Sequence, residues 1–270
     1  MTSEGLVAFR SDGETGTPVL VLHGAGGGHD MGRAIAQMLL PSGHFWIAPS
    51  RFGYLNSPVL SDGSPAAQAD ACVALLDQLR IRRVVVLAFS AGGPSALQFA
   101  VRHRERCAGL LLLEAVTQYS LLRAGWMDAG FRAMFASNLV LWLTTQYGRP
   151  LFLRLAGVSF EMQAHLTEQD YRWVAIYVQT MWPVEYRRQG LVNDLARHPY
   201  PPTYAPCQIR ASTLIVHAVD DVLIPFENAL YAARHIAGAR LITLNNGGHF
   251  MAGHHDAVRA EITRFLTTVQ

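Results

Sequence analysis

The chain has 270 residues and a net charge of +2 at neutral pH, and 50% of its residues are apolar while 16% are charged. This composition is typical of a globular protein with a sizeable core and excludes an intrinsically disordered chain. Because acidic and basic residues are scattered along the chain, the sequence gives no reason to expect nucleic acid or an anionic membrane as a partner.

The cysteines and the first residues indicate the compartment. The three cysteines, Cys72, Cys107 and Cys207, have neither CxxC nor metal-ligand spacing, so we expect buried thiols in a reducing compartment. The N-terminal residues lack the basic and apolar regions of a signal peptide, and no apolar run is long enough to span a bilayer. We therefore expect a cytoplasmic protein without a membrane span, a metal or a cofactor; the sequence leaves its oligomeric state open.

Strands and helices alternate over the first 116 residues. Apolar, β-branched runs predict strands, and apolar residues at helical spacing predict helices. The predicted strands are 5–10, 19–22, 45–49, 84–87 and 108–113, with a turn at 11–16. The predicted helices are 31–40, 65–79 and 94–101.

A glycine-rich run, His23-Gly24-Ala25-Gly26-Gly27-Gly28, follows the second of these strands. A phosphate-binding loop would need a Lys-Ser/Thr pair or a G-x-G-x-x-G register with an acidic partner, and the sequence has neither. The run therefore indicates either a simple tight turn or a loop whose backbone N–H groups face a reacting carbonyl.

The residues around Ser90 predict a sharp turn between a buried strand and a helix. Ala88 and Gly92, two positions before and after Ser90, are small enough to let strand and helix approach each other. Pro94 is tolerated in the first helical turn. This is the strand–turn–helix context of a G-x-S-x-G nucleophile elbow, with Ala88 in place of the first glycine. The alternative is that Ser90 only caps the helix.

The pattern changes between about Thr117 and Pro206, where the sequence is helical in pattern and contains no convincing buried strand. Prolines between 199 and 206 mark the end of this stretch as a stiff linker. We interpret residues 117–206 as a helical cap inserted into a core formed by 1–116 and 207–270. The stretch also contains four of the five tryptophans, Trp126, Trp142, Trp173 and Trp182.

The last part of the chain returns to alternating elements, with strands predicted at 212–217 and 240–244 and helices at 226–236 and 256–269. Asp221 and His249 follow these two strands, as Ser90 follows an earlier one. Because the carboxyl ends of parallel strands meet at one edge of a sheet, we expect these three side chains to lie close together.

Four motifs in this order resemble the α/β-hydrolase superfamily over essentially the whole chain. They are Val21-Leu22-His23-Gly24, the elbow at Ser90, Asp221-Val222-Leu223-Ile224-Pro225 and Gly247-Gly248-His249. The resemblance implies an α/β fold with a mostly parallel sheet flanked by helices and an inserted helical cap. It also implies a nucleophile, an acid and a histidine in the chain order that Ser90, Asp221 and His249 follow.

The resemblance assigns a role to each of these residues. Ser90 is expected to be the nucleophile, His249 the general base and acid, and Asp221 the carboxylate that orients the imidazole. The backbone N–H groups of Ala25 and Ala91 are expected to form the oxyanion hole.

Two further acids and one further histidine need an interpretation. Asp220 is a rival acid next to Asp221, but Asp221 lies four residues before Pro225, as the Asp-x-x-x-Pro pattern of the family requires. Glu114 is a second rival, since some family members place the acid after the strand that ends there. We expect His23 to be structural.

A serine nucleophile argues against the dehalogenase and epoxide hydrolase branches of the family, which use aspartate. The resemblance favours a serine esterase acting on a small, largely apolar substrate through an acyl-enzyme. A hydrolase of carbon–carbon bonds in meta-cleavage products is an alternative, although those enzymes usually carry Asn where this chain has Phe89. A lactonase or an amidase is a further alternative, and so is a non-catalytic ligand-binding protein on the same scaffold.

Overall fold

The computed structural model describes residues 9–118, 137–197 and 205–269. Seven strands in these ranges form one sheet. They are β1 (Phe9–Asp12), β2 (Thr15–Leu22), β3 (His44–Pro49), β4 (Val84–Phe89), β5 (Cys107–Leu113), β6 (Ser212–Ala218) and β7 (Arg240–Leu244). Their order in the sheet is β1-β3-β2-β4-β5-β6-β7. Only the pairing of β1 with β3 is antiparallel, and the other pairings in the described sheet are parallel.

Five helices of the described ranges belong to the core that surrounds this sheet. They are α1 (His29–Leu39), α2 (Pro65–Gln78), α3 (Gly93–Arg102), α9 (Glu227–His235) and α10 (His255–Thr268). Five more lie between β5 and β6 and form what is here called the insert, residues 137–197. They are α4 (Asn138–Tyr147), α5 (Arg149–Leu155), α6 (Phe160–Gln163), α7 (Glu168–Gln179) and α8 (Arg188–Arg197). None of the helices in the described ranges has the length and apolar character that crossing a membrane requires.

Apolar layers cover both faces of the sheet, which explains why β4 and β5 are continuous apolar runs. Every residue of these two strands is buried. Successive side chains of a strand point to opposite faces. Accordingly, Val85 and Leu87 pack in one layer with α1 and α10, while Val84 and Val86 pack in the other with α2, α3 and α9. Burial on both faces is the environment in which parallel strands are stable.

The order of the strands determines where a ligand can bind. The chain leaves β2 for β3 on one side of the sheet and then crosses to β4 on the other side of β2. In open parallel sheets, the crevice at such a reversal, outside the carboxyl ends of the strands, is the usual binding site. Here that crevice lies between the loop after β2 and the turn after β4.

Two sequence expectations differ from the structure. Residues 11–16 were expected to form a turn, but β1 extends to Asp12 and β2 begins at Thr15, so the turn contains only Gly13 and Glu14. Antiparallel pairing of β1 with β3 supplies hydrogen-bond partners that the local sequence does not reveal. Cys72 and Cys107 are buried as expected, whereas Cys207 is exposed in a short surface turn, so the expectation was wrong for this thiol.

The fold class predicted from the sequence is confirmed: the sheet is mostly parallel and helices flank it. The boundaries of a separate cap, 117–206, stay a prediction. Trp126 and the prolines at 199–202, on which that prediction partly depended, lie outside the described residues.

Candidate active site

The turn after β4 presents Ser90 in a strained conformation. Ser90 has a φ of 52°, in the left-handed region that residues with a side chain rarely adopt. A Cβ on Gly92 would lie 2.4 Å from the carbonyl oxygen of Leu22, and one on Gly93 would lie 2.0 Å from that of Val116. Glycine is therefore required at both positions if the turn is to fit between the end of β2 and the segment that follows β5.

Ser90, His249 and Asp221 form a hydrogen-bonded chain at the carboxyl edge of the sheet. The Oγ atom of Ser90 lies 3.0 Å from Nε2 of His249, and Nδ1 of His249 lies 2.7 Å from Oδ2 of Asp221. The other carboxylate oxygen of Asp221 accepts hydrogen bonds from the N–H groups of Leu223 and Ile224, at 2.8 and 3.0 Å. The side chains of Ser90, His249 and Asp221 are all buried.

The partners of His249 fix its tautomer. Because the ionised Asp221 carboxylate can only accept, Nδ1 carries a proton and Nε2 is free to accept one from Ser90. Burial disfavours the charged form of Asp221, but His249, through its charge and its hydrogen bond, and the Ile224 N–H together lower the pKa of Asp221. The arrangement can therefore move a proton from the serine hydroxyl to the imidazole and stabilise the resulting charge.

The rival acids have other partners. Asp220 accepts hydrogen bonds from the N–H groups of Gly247 and Gly248, at 3.2 and 2.8 Å, and so supports the loop that carries His249. Glu114 accepts a hydrogen bond from the N–H of Ala218 at 2.8 Å. Among the described acidic residues, only Asp221 is hydrogen-bonded to the imidazole of His249.

The glycine-rich loop after β2 lies directly against Ser90. A Cβ on Gly24 would lie 3.0 Å from Cβ of Ser90 and 3.1 Å from the hydroxyl of Tyr177. Nδ1 of His23 lies 2.7 Å from the carbonyl oxygen of Gly24, and its Nε2 accepts a hydrogen bond from the N–H of Arg51 at 2.9 Å. Burial and the charge of Arg51 lower the pKa of His23, so the ring is neutral and fixes this loop.

Ala25 and Ala91 carry the two backbone N–H groups expected to form an oxyanion hole. Ala25 belongs to the loop against Ser90, and Ala91 is buried in the turn that leads into α3. The positive end of a helix dipole lies at such a turn and favours a developing negative charge. In the described ranges, neither N–H donates to another backbone or side-chain group.

The insert packs against this edge of the sheet through Tyr177, which sequence reasoning missed. Its ring contacts those of Phe89 and Phe250, with centroids 5.2 and 5.1 Å away. In the sequence, Phe89 directly precedes Ser90 and Phe250 directly follows His249. Tyr177 is buried, and its hydroxyl lies close to Gly24 of the glycine-rich loop. A tyrosine at helical spacing gives no sign of this in the sequence.

A second contact of the insert is a buried ion pair. Arg51 forms two hydrogen bonds with Asp194 of α8, at 2.7 and 2.6 Å, and the hydroxyl of Tyr54 donates to the same carboxylate at 2.6 Å. Nearby, Arg187 pairs with Asp30 at 2.6 Å. Because 143 positions separate Arg51 from Asp194, no local pattern could have revealed this pair.

Comparisons with known proteins agree with this architecture. A sequence model of the alpha/beta hydrolase fold family matches residues 17–255. The 2-hydroxymuconate semialdehyde hydrolase of Pseudomonas sp. (strain CF600) is 30% identical over 264 residues, which cover 94% of this chain and 87% of that protein. A solved alpha/beta hydrolase fold protein from Nakamurella multipartita has a TM-score of 0.81 and 28% identity, covering 98% of this chain and 96% of its own. A thermophilic esterase from Thermogutta terrifontis shares the fold with a TM-score of 0.68 at 23% identity, covering 97% and 93% of the two chains. The chain therefore belongs to the alpha/beta hydrolase fold family, as its motifs predicted.

Proposed function

We propose that the protein is a serine hydrolase that cleaves a carboxylic ester of a small, largely apolar substrate. The observation that carries the proposal is the buried chain from Ser90 Oγ through His249 to the Asp221 carboxylate, with spacings of 3.0 and 2.7 Å. A hydroxyl, a neutral imidazole and an ionised carboxylate in this order are the groups that acyl transfer requires.

The reaction proceeds in two halves. Ser90 Oγ attacks the ester carbonyl carbon while His249 takes the hydroxyl proton, and the N–H groups of Ala25 and Ala91 bind the oxyanion. His249 then gives that proton to the departing alcohol, which leaves an acyl group on Ser90. In the second half, His249 removes a proton from water, the hydroxide attacks the acyl carbon, and the proton returns to Ser90 as the carboxylic acid leaves.

The surroundings of the site favour an uncharged substrate. Arg51 and Arg187, the buried cations near the glycine-rich loop, are already paired with Asp194 and Asp30. Arg51 cannot bind a substrate carboxylate without giving up its buried partner Asp194, which is costly. Arg187 is already engaged by the partly exposed Asp30 and by the carbonyl oxygen of Gly27. The aromatic ring of Tyr177 contributes an apolar wall.

Cleavage of a carbon–carbon bond is the second candidate. The relative named 2-hydroxymuconate semialdehyde hydrolase is 30% identical over 94% of this chain, and that similarity favours the same reaction class. Its substrate carries a carboxylate and an enol, whereas the two arginines here are neutralised. A lactone is an internal ester and would use the same steps as the leading proposal.

One panel of substrates separates the candidates. Wild type and Ser90→Ala would be assayed against p-nitrophenyl esters of increasing acyl length, a δ-lactone and a 2-hydroxy-6-oxo-2,4-dienoate. Ester or lactone turnover that Ser90→Ala abolishes supports the proposal. A higher kcat/KM for the dienoate than for any ester would assign the second candidate. No turnover and no reaction with a fluorophosphonate probe would instead indicate a binding protein.

A further inference from the structure

Glu114 is a buried carboxyl group that the steps above do not use. It directly follows β5, is fully buried, and has a φ of 44°. Its Oε1 atom accepts a hydrogen bond from the N–H of Ala218, at the end of β6. A residue with a side chain persists in the left-handed region only where its surroundings compensate for the strain, so this position calls for an explanation.

Glu114 lies beside the acid of the site. A carboxylate oxygen of Glu114, a ring nitrogen of His217 and a carboxylate oxygen of Asp221 all lie within 4.8 Å of one another, and all three residues are buried. Nε2 of His217 lies 3.1 Å from Oε2 of Glu114 and 3.7 Å from Oδ2 of Asp221.

His217 can supply neither a positive charge nor a metal ligand at this point. Its Nε2 lies 2.8 Å from the carbonyl oxygen of Ile224, and a carbonyl only accepts, so Nε2 carries a proton and directs it there. Burial lowers the pKa of His217, which keeps the ring neutral. The two carboxyl groups therefore share a site without a cation between them.

Two neighbouring buried carboxyl groups do not both ionise, because like charges in a low-dielectric site repel strongly. Asp221 accepts hydrogen bonds from Leu223, Ile224 and His249, so the negative charge is best stabilised there. Oε2 of Glu114 has no donor directed at it in the described part of the chain. Burial and the charge of Asp221, with a smaller contribution from Asp220, raise the pKa of Glu114. The proton of the pair thus belongs on Glu114.

We infer that Glu114 is a positioning residue: as a neutral carboxylic acid it donates a hydrogen bond from Oε2 to the Asp221 carboxylate and so holds that carboxylate toward His249. The inference rests on the proposed function, in which Asp221 orients the imidazole. The ionisable groups that face Glu114 and Asp221 are His217 beside them, Asp220 in the following loop, and His249 on the far side of Asp221.

The protonation of Glu114 can be measured without any substrate. A glutamate that is neutral in the native protein but ionised in the unfolded chain releases one proton on unfolding, so its contribution to the unfolding equilibrium constant rises tenfold per pH unit. Wild type and Glu114→Gln would be unfolded in urea between about pH 5.5 and about pH 7.5. The unfolding constant of wild type divided by that of Glu114→Gln should rise tenfold per pH unit. The exposed Glu105→Gln variant serves as control, and its ratio to wild type should stay flat.

The positioning role can be measured with a fluorophosphonate probe, which reacts with an activated serine whatever the natural substrate is. Glu114→Gln keeps a donor for Asp221 and an acceptor for Ala218, so its labelling rate should stay within about threefold of wild type. Glu114→Leu loses the donor, and its rate should fall about 10- to 100-fold. The acid limb of the pH–rate profile should not move in Glu114→Gln, because a neutral group replaces a neutral group.

The outcomes distinguish failure of the inference from failure of the proposed function. Wild type that does not react with the probe at Ser90 overturns the proposed function, while the unfolding ratio still reports on Glu114. A flat unfolding ratio, or an acid limb that moves to lower pH in Glu114→Gln, would show that Glu114 is ionised, and the inference fails. Equal labelling rates for Glu114→Leu and wild type also overturn it.

Discussion

The Nε2 atom of His249 lies 3.0 Å from the hydroxyl of Ser90, although 159 positions separate the two residues in the chain. Ser90 follows β4 and His249 follows β7, so two strands lie between theirs in the sheet. Asp221, after β6, lies on the path from one to the other. The parallel arrangement brings all three strand ends to one edge, and the sheet therefore assembles the site from distant parts of the sequence.

Ser90→Ala should leave the fold intact and remove most of the activity. Alanine keeps the backbone conformation of the turn but has no hydroxyl to attack a carbonyl. Removal of a serine nucleophile lowers kcat by about 10⁶-fold in a comparable triad, with residual rate from oxyanion stabilisation. Ser95→Ala in α3 is the matched control, because Ser95 is also a buried serine. Ester hydrolysis and circular dichroism check both, and near-normal turnover by a folded Ser90→Ala would exclude Ser90 as nucleophile.

Asp221→Asn should be far more damaging than Asp220→Asn. The amide that replaces the Asp221 carboxylate can no longer carry the charge that supports protonated His249 or impose its tautomer, and comparable substitutions cost about 10⁴-fold. The amide introduced by Asp220→Asn still offers an oxygen to the N–H of Gly248, so we expect a loss of no more than about tenfold. Steady-state kcat/KM, measured for both variants, tests this difference. A large loss in Asp220→Asn with normal Asp221→Asn would mean that the acid is misassigned.

The sequence predicted the alternation of strands and helices and the family, both confirmed, because these depend on apolar periodicity and on short motifs with fixed local geometry. It preferred Asp221 to Glu114 only through the spacing to Pro225 that the family resemblance supplies, since no local pattern shows which way each side chain points across the β5–β6 edge. It also missed the pairing of Arg51 with Asp194 and the contact of Tyr177 with Phe89. These depend on how the insert packs against the sheet, and packing over such distances in the chain leaves no periodic pattern.

Gly92→Ala tests the steric requirement of the turn. Gly92 has a helical conformation that alanine adopts readily, so the cost comes from the Cβ atom alone, 2.4 Å from the carbonyl oxygen of Leu22. Overpacking of this kind costs about 1–3 kcal/mol, and we expect the probe-labelling rate of Ser90 to fall as well. Gly238→Ala, whose Cβ meets nothing within 4 Å, should lose about 1 kcal/mol through its φ of 71° and keep its labelling rate. Unchanged Tm and labelling in Gly92→Ala would remove the steric argument.

Stability should fall as the pH is lowered from 7 toward 5. Burial lowers the pKa of His23, His217 and His255 in the native protein, so below about pH 6.5 the unfolded chain binds more protons than the native one. The neutral Glu114 acts in the opposite direction, because the native protein there binds the extra proton. With three histidines against one glutamate, the free energy of unfolding should rise with pH by up to about 2.7 kcal/mol per unit. Urea unfolding at several pH values checks this, and a constant or rising stability on acidification would contradict it.

The pair of Arg51 and Asp194 should anchor α8 to the core. Both side chains are about 5–6% exposed, so Asp194→Ala leaves an unpaired buried charge on Arg51 and leaves the hydroxyl of Tyr54 without its acceptor. Breaking one side of such a pair costs about 3–5 kcal/mol. Arg172→Ala is the control: Arg172 is 66% exposed in its pair with Glu168, and its loss should change stability by less than about 0.5 kcal/mol.

Because Arg51 also donates through its backbone to His23, Asp194→Ala should slow labelling of Ser90 in the fraction that remains folded. A free energy of unfolding for Asp194→Ala within about 1 kcal/mol of wild type would show that the pair of Arg51 and Asp194 does not anchor the insert.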